Sequence, residues 1–408
     1  MSYMEPVELL RTVLVSKQWY NNVLSHMASL TSLHLYPFYI AINSGDFKGS
    51  FIAILLMTQD NVQKLNFSGI KELKLDNAYC KAIADLCPNL VELDISDLRI
   101  DREVAEGFSK HLPLNLTCLV LKKCKSLGDR NLEKILINAR NLERLIIAYN
   151  WDITGKSFLQ HLRQNKISHF TYRFCQEFEE RFLQSLLMHN IKTLQYLDLY
   201  GSESRDLGIL TNEITPLVNM RTFYTPDWQH AGIELVKLLT LFPNLETLVL
   251  SHLKWIPSLE TFFAEVVKSC PKIKSLTIPG APIRNQDELY SIRYLGNLQQ
   301  FLSEDLCVNS SLDKFVEETL LKCRKLERLS LRGSSINDSM VILIISSLPS
   351  LISLDLRKCA SVTGSFIEDC RGMWRKLPLR VYVSGTQMWD LEIGESTSII
   401  IHQDLDFS

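Results

Sequence analysis

The side chains that could catalyse a reaction or bind a metal are dispersed along the 408-residue sequence. The ten cysteines form no C-x-x-C pair, and the nine histidines are scattered, with His26 and His34 eight residues apart. Grouped carboxylates such as Glu177, Glu179 and Glu180 fall on stretches with helical spacing, where a solvated helix face explains them. The sequence contains no phosphate-binding glycine loop, no H-E-x-x-H and no G-x-S-x-G. It therefore predicts a non-catalytic protein that needs neither a metal nor another cofactor.

Most of the cysteines occupy apolar positions of a repeating pattern, as Cys87, Cys124, Cys323 and Cys359 do. A free cysteine behaves as a small hydrophobic side chain. Their spacing matches neither a zinc site nor the disulfide framework of a small secreted domain. We therefore expect buried, reduced thiols.

The repeating pattern is L-x-x-L-x-L, with about 26 residues between copies, within the range of leucine-rich repeats. Alternating apolar residues indicate a strand, and the stretch after each copy has helical spacing, as in Asn131–Ala139. Stacked units bury a continuous core. The middle residues of the eleven in-phase copies are Leu93, Leu119, Leu145, Phe170, Leu197, Phe223, Leu248, Leu276, Phe301, Leu329 and Leu354. The sequence predicts an α/β leucine-rich-repeat solenoid over residues 28–384, a horseshoe with parallel strands on the concave face and helices on the convex face.

The residues that follow the strands indicate how each repeat turns. Six polar or thiol side chains should point inward and satisfy backbone groups at the bend: Cys124, Asn150, Cys175, Ser202, Ser334 and Cys359. Four more stand at or beside helix starts, as capping residues do: Asp129, Thr154, Asp338 and Thr363. Near the ends the pattern frays, since copies at residues 62–67 and 70–75 lie too close together for both to begin a repeat. We expect 12–14 strands in total, and a cap or tail over residues 385–408.

A run of the form L-x-L-x-x-C-x-x-[ILV]-[TG], clearest in Leu119–Asp129 and Leu354–Gly364, resembles the cysteine-containing leucine-rich repeats of F-box proteins. The segment Leu14–Trp19 is similar to the second half of an F-box, and Pro6–Leu10 is similar to the first half. The helix and turn that separate these halves in the family are missing. Residues 1–27 thus resemble a shortened F-box.

This resemblance implies a substrate-recognition subunit of an SCF-type cullin-RING ubiquitin ligase, which captures a target protein on its concave surface for ubiquitination and proteasomal degradation. The F-box residues that would contact the adaptor subunit are Pro6, Leu9, Leu10, Leu14, Val15 and Trp19. Two alternatives stay open. The N-terminal segment is also explained as an amphipathic helix that caps the solenoid, and the chain as a protein-interaction scaffold or inhibitor with no ligase role.

Strand alternation indicates which side chains face the concave surface. Tyr196, Tyr200 and Tyr224 fall on that face, and Trp228 and Trp255 lie in loops beside it. Tyr and Trp are enriched at binding hot spots, although these tryptophans could equally fill gaps within the solenoid. Farther along, four arginines occupy the same face and would bind a carboxylate or phosphate of the partner: Arg328, Arg332, Arg357 and Arg380. An ordinary solvated surface, partly neutralised by Asp355 and Glu304, is the alternative.

Composition limits the class of partner. The sequence is 46% hydrophobic and 22% charged with a formal net charge of −2, which fits a folded protein and does not favour nucleic acid as a partner. No uncharged apolar stretch approaches the roughly 18–20 residues of a membrane span, and the N-terminus lacks a signal-peptide pattern. We therefore expect an unidentified protein substrate as the partner, no membrane association, and a cytoplasmic or nuclear location.

Overall fold

The computed structural model describes residues 8, 10, 16–42, 47–58, 60–155, 162, 166–175, 180–204, 215–228, 232–251, 253, 256, 258–278, 282–283, 286–304, 307–308, 312–370, 378–388 and 399–402. The chain divides into two compact units. One comprises residues 1–194 and 201–203, and the other comprises residues 195–200 and 204–408. Each unit repeats the same motif of a short strand followed by a helix.

The first unit has a parallel sheet whose strands follow chain order. These are β1 (Ser32–His34), β2 (Lys64–Asn66), β3 (Glu92–Asp94), β4 (Cys118–Lys122), β5 (Arg144–Ala148) and β6 (His169–Arg173). The described helices are α1 (Lys17–Ala28), α2 (Tyr36–Ile42), α3 (Phe47–Met57), α4 (Asn77–Leu86), α5 (Arg102–His111), α6 (Asp129–Leu136) and α7 (Glu180–His189). The strand register aligns one buried row: Leu33, Leu65, Leu93, Leu119, Leu145 and Phe170.

The second unit continues the motif with nine main-sheet strands among its described residues, again parallel and in chain order. The strands of this unit, including short ones outside the main sheet, are β7 (Tyr196–Asp198), β8 (Glu203–Ser204, at the boundary), β9 (Thr222–Tyr224), β10 (Asp227–Trp228), β11 (Thr247–Val249), β12 (Ser275–Ile278), β13 (Pro282–Ile283), β14 (Gln300–Glu304), β15 (Cys307–Val308), β16 (Arg328–Arg332), β17 (Ser353–Asp355), β18 (Leu379–Tyr382) and β19 (Ile399–His402). Its helices are α8 (Gly232–Thr240), α9 (Leu259–Ser269), α10 (Asp313–Glu318), α11 (Asp338–Ser347) and α12 (Phe366–Cys370), with 3₁₀ segments at Gln286–Tyr294 and Leu320–Lys322.

All eleven predicted repeat copies lie on main-sheet strands, so the fold is the predicted α/β leucine-rich-repeat solenoid. Of the two closely spaced copies, residues 62–67 contain β2, whereas residues 70–75 form a turn and irregular structure that lead to Asp76, the N-cap of α4. Only one of the two copies therefore begins a repeat, as expected. The other end differs from the prediction, because strand β19 lies within the segment predicted as a cap or tail and pairs in parallel with β18. Among the described residues, the main-sheet strands number fifteen, one above the expected range, because β19 was not foreseen.

The inward-pointing residues after the strands are buried as predicted, and they join one repeat to the next. Asn150 is 2% exposed; its amide oxygen accepts from the Cys124 backbone N–H at 2.8 Å and its amide nitrogen donates to the Leu121 carbonyl at 2.8 Å. Two repeats later, the Ser202 hydroxyl accepts from the Cys175 N–H and donates to the Tyr172 carbonyl. Buried backbone groups at each bend are thereby satisfied.

Asp129 and Asp338, the two aspartates at helix starts, do not cap their own helices. Gly128 and Asn337 are the N-cap residues of α6 and α11. The Asp129 carboxylate instead accepts hydrogen bonds from Thr154 and from the Gly155 N–H in the next repeat. Asp338 makes the same contacts with Thr363 and Gly364. The predicted capping role is therefore wrong for both aspartates. Their carboxylates instead hold the turn of the next repeat in place.

The nine cysteines whose side chains the structure describes are free and buried, which confirms the prediction for them; the side chain of the tenth, Cys307, lies outside the described part. Burial raises the pKa of the Cys80, Cys87, Cys175, Cys270 and Cys323 thiols to about 12, because the charged thiolate is poorly solvated inside the core. These thiols are therefore protonated at neutral pH and act as core side chains. Within the described residues, no helix is long and apolar enough to cross a membrane.

Candidate protein-binding surfaces

The first candidate surface is a tyrosine patch on the second unit, formed by Tyr196 on β7 and Tyr224 on β9. The two strands pair in register, with Asp198 opposite Tyr224. The ring centroids lie 5.7 Å apart, and the Tyr196 hydroxyl donates to the Asp198 carboxylate at 3.1 Å. Both tyrosines are partly exposed, whereas Asp198 is only 2% exposed. The buried carboxylate thus holds a fixed aromatic pair on the face of the sheet opposite the leucine row.

The other residues predicted for this patch are distributed differently. Tyr200 is partly exposed, and its backbone N–H donates to Asp198 at 3.1 Å. Trp228 belongs to β10, but its side chain lies outside the described part, and Trp255 lies wholly outside it. Beyond the ends of β9 and β11 the side chains are no longer exposed. Pro226 and Ser251 are both buried, and the Ser251 hydroxyl donates to the Pro226 carbonyl. The patch therefore centres on Tyr196 and Tyr224.

The second candidate surface is the arginine cluster, formed by Arg328 and Arg332 on β16, Arg357 after β17 and Arg380 on β18. The register aligns Arg328 with Ser353 and Ser353 with Arg380. Arg328 and Arg380 are both exposed and lie two strands apart, with about 10 Å between their backbones. A carboxylate or phosphate of a partner could be held between them.

Arg357 does not present a free guanidinium to a partner. Its Nε and Nη2 atoms donate to the two carboxylate oxygens of Asp355 at 2.9 and 2.7 Å, a two-pronged ion pair whose members are only 32% and 16% exposed. Asp355 therefore neutralises Arg357, as the solvated-surface alternative anticipated for this residue. Arg332 aligns with Glu304 of β14 and is partly exposed. The cationic character of the cluster rests mainly on Arg328 and Arg380.

The residues predicted to contact an adaptor lie at the N-terminal end of the first unit. Helix α1 starts after Ser16, whose hydroxyl accepts from the Trp19 N–H at 3.0 Å. Val23 and Met27 of this helix are fully buried, and α1 contacts α3. Trp19 and Leu10 are partly exposed. The remaining residues of this set lie outside the described part of the chain: Pro6, Leu9, Leu14 and Val15. Helix α1 thus caps the first repeat while leaving Trp19 accessible.

A third surface, not predicted from the sequence, lies where the strands of the first unit end. We call Lys123, Tyr149 and Phe174 the rim ladder. Each stands four residues after the middle leucine or phenylalanine of its repeat and has a positive φ, of 54°, 56° and 46°. The Tyr149 and Phe174 rings are stacked with centroids 4.8 Å apart, and the Lys123 ammonium lies 5.2 Å from the Tyr149 ring centroid. Counting four residues on from each repeat centre would have revealed this row in the sequence.

Among the described residues, no group of three or more His, Cys, Asp or Glu side chains could hold a metal ion. On the open face of the first unit, one carboxylate forms ion pairs with basic side chains of neighbouring strands. Glu92 of β3 contacts Arg144 of β5 at 2.9 Å and Lys64 of β2 at 3.6 Å.

Comparison with known proteins supports the fold. No protein-family model matches the chain. The putative RNA-binding protein EEED8.10 of Caenorhabditis elegans is 21% identical over 320 residues, which cover 78% of this chain and 42% of that protein. The chain thus spans less than half the length of this relative.

Two solved structures are similar at low sequence identity. One is from the complex of Rad7 and Elc1 in yeast, with a TM-score of 0.55, 17% identity, and coverage of 92% of this chain and 99% of that chain. The other is an internalin, inlF, from Listeria monocytogenes, with a TM-score of 0.45, 16% identity, and coverage of 84% and 89%. The extensive alignment with Rad7 supports the leucine-rich-repeat architecture, a fold suited to protein binding.

Proposed function

We propose that this chain is the substrate-recognition subunit of an SCF-type cullin-RING ubiquitin ligase, and that it holds its target on the open face of its repeats without catalysing a reaction itself. The observation that carries the proposal is the tyrosine patch. Tyr196 and Tyr224 form a preformed, partly exposed aromatic pair on neighbouring strands. In the cell this activity would be cytoplasmic or nuclear.

The patch has the features of a binding hot spot. Aromatic side chains bury a large area with few rotatable bonds, and hot-spot residues cost more than about 1–2 kcal/mol when truncated to alanine. Because the Tyr196 hydroxyl is tied to Asp198, little side-chain freedom remains to be lost on binding. Arg328 and Arg380 add a cationic region on the same unit, which suits a target segment that carries carboxylate or phosphate groups.

The ligase assignment depends on the N-terminal segment. Its resemblance to a shortened F-box and the exposure of part of Trp19 support contact with an adaptor. A stable interface buries about 800 Å² per partner, and losing about 300 Å² of apolar contact removes several kcal/mol. A shortened F-box should therefore bind the adaptor more weakly than a full-length one. Rad7, which shares the fold, was solved in complex with Elc1, so a chain of this architecture can bind a second protein stably.

Two measurements test the proposal. The chain should retain purified SCF adaptor in a pull-down, and insertion of the missing F-box helix should strengthen that binding. The variant Tyr196→Ala/Tyr200→Ala/Tyr224→Ala should remain folded, with a native circular dichroism spectrum, although loss of the hydrogen bond to the buried Asp198 lowers its urea midpoint. It should recover less of the proteins identified with the unmodified chain by affinity purification and mass spectrometry. Tyr294→Ala, at a 62% exposed tyrosine elsewhere, is the matched control.

The second candidate function is a protein-interaction scaffold or inhibitor with no ligase role. It is favoured by one observation, the burial of Val23 and Met27, since a helix that only caps the solenoid would place them there. Adaptor binding distinguishes the two functions. If neither the natural chain nor the version with the inserted helix retains adaptor, while the tyrosine patch still binds proteins, the scaffold function replaces the ligase function.

A further inference from the structure

The rim ladder occupies a left-handed backbone position that several other repeats fill with glycine and two fill with Asp97 and Lys358. Four residues after the repeat centre, Gly201, Gly333 and Gly385 have φ values of 71°, 68° and 73°. Glycine adopts this left-handed region without steric cost, whereas bulky side chains seldom do. The first unit nevertheless places Lys123, Tyr149 and Phe174 there in consecutive repeats. Backbone strain that persists at a bulky residue is a feature of functional sites.

The ladder is fixed by its neighbours. The Tyr149 N–H donates to the Arg173 carbonyl and the Lys123 N–H to the Ala148 carbonyl, both at 2.9 Å, so the turns continue the hydrogen bonding of the sheet. Sheet order places Lys123 and Phe174 on opposite sides of Tyr149. At the far end, the Phe174 ring lies directly over Gly201, where an added Cβ would come within 2.3 Å of it. The side chains are therefore held in one arrangement before any partner binds.

The ladder is also accessible and cationic. Tyr149 is 40% exposed, and Trp151, two residues later, is 60% exposed. Lys122 and Lys125 flank Lys123 in the same turn, and all three lysines are exposed. Among the described residues of this turn region, Asp97 is partly exposed and accepts from the Gly69 N–H at 3.0 Å, and Asp152 is exposed. The three lysines outnumber these two carboxylates. Exposed aromatic rings beside an excess of lysine fit an acidic partner with apolar side chains.

We propose that the rim ladder, together with Trp151 and the three lysines, is a docking site for an acidic protein segment that carries apolar side chains. The arrangement of the rings favours protein over nucleic acid. Base stacking needs a free aromatic face. In this row one face of Tyr149 meets Phe174 and the other meets the Lys123 ammonium, so Tyr149 offers its edge. This site is distinct from the tyrosine patch and does not depend on the ligase assignment.

Fluorescence anisotropy with the full chain tests this site against three labelled probes. The first is a degenerate peptide pool in which Glu or Asp alternates with Leu, Phe or Ser, and the second replaces the acidic residues with Lys or Arg. The third is a single-stranded RNA of mixed sequence. We expect the acidic pool to bind at least about tenfold more tightly than the basic pool. Tyr149→Gly/Trp151→Ala should weaken that binding about tenfold, with glycine keeping the turn unstrained.

The matched control Tyr294→Ala should leave the affinity for the acidic pool unchanged. Replacing Lys122, Lys123 and Lys125 with Ser should lower the salt dependence of binding, whereas Lys81→Ser/Lys110→Ser on helices of the same unit should not. If the double variant loses its native circular dichroism, Trp151→Ala alone carries the test. Absent or equal binding of the two peptide pools overturns the proposal. So does acidic-pool binding that the ladder variants leave intact, or RNA binding that they abolish.

Discussion

Replacing Asn150 with alanine should destabilise the first unit more than any other single change at the turns. The substitution removes an acceptor 2.8 Å from the Cys124 N–H and a donor 2.8 Å from the Leu121 carbonyl. Both backbone groups are buried, and leaving a buried polar group unpaired costs about 1–3 kcal/mol. We therefore expect the free energy of unfolding to fall by about 2–5 kcal/mol. Serine is the matched control, because Ser202 performs both roles two repeats later.

Two measurements follow the effect of this change. The urea midpoint reports global stability, and hydrogen exchange of the Cys124 amide reports the local bond without requiring that the repeats unfold in one step. Asn150→Ser should recover more than half of the loss, since its hydroxyl both donates and accepts. The reasoning fails if Asn150→Ala costs less than about 1 kcal/mol, or if the Cys124 amide remains as protected as in the unmodified chain.

Three further outcomes are expected. Nine of the ten cysteines should react with a thiol reagent at mildly alkaline pH only after urea unfolds the chain, because all nine are buried and burial raises the pKa of eight of them; rapid labelling of the folded protein would contradict this. Hydrogen bonds from Arg102 and then Lys134 lower the pKa of Glu106 from 4.5 to about 2. The ionised Glu106 therefore contributes fully to stability above pH 4.5, and this contribution is lost as the pH falls towards 2. Glu106→Gln should flatten the pH dependence of the urea midpoint between these two pH values. Gly201→Ala should destabilise the chain by about 2–3 kcal/mol through backbone strain and displacement of Phe174. In a Phe174→Ala background it should cost only about 1 kcal/mol, and equal costs in both backgrounds would exclude the clash.

The architecture could be predicted because it follows from a periodic burial requirement. A repeat that cannot bury its own apolar face must stack, and a leucine every second residue fixes which strand face is buried. The same logic identified Asn150, Ser202 and the cysteines as inward-pointing, since the strand end leaves backbone groups that need partners. The parity argument also placed Tyr196 and Tyr224 on the open face, where both are partly exposed.

Other features depend on side-chain contacts and backbone pairing that the repeat pattern alone does not specify. Asp129 looked like a cap because it begins a helix, yet its carboxylate binds the turn of the next repeat. Arg357 belonged to a predicted cationic cluster, but Asp355, two residues earlier on the same side of the strand, pairs with it. Strand β19 was missed because its sequence, Ile399–His402, lacks the L-x-x-L-x-L spacing and joins the sheet by backbone pairing.

The rim ladder shows why the residue after a strand can matter as much as those within it. Side chains on the strands alternate between a core and an open face, whereas the left-handed turn residue has only its neighbours in adjacent repeats for contact. In consecutive repeats these positions lie one strand spacing apart, about 4.8 Å, which is also the separation at which aromatic rings stack. The 4.8 Å distance between the Tyr149 and Phe174 centroids matches that spacing. A parallel repeat array can therefore align planar side chains along its edge without any dedicated loop, provided that the backbone strain of each turn is tolerated.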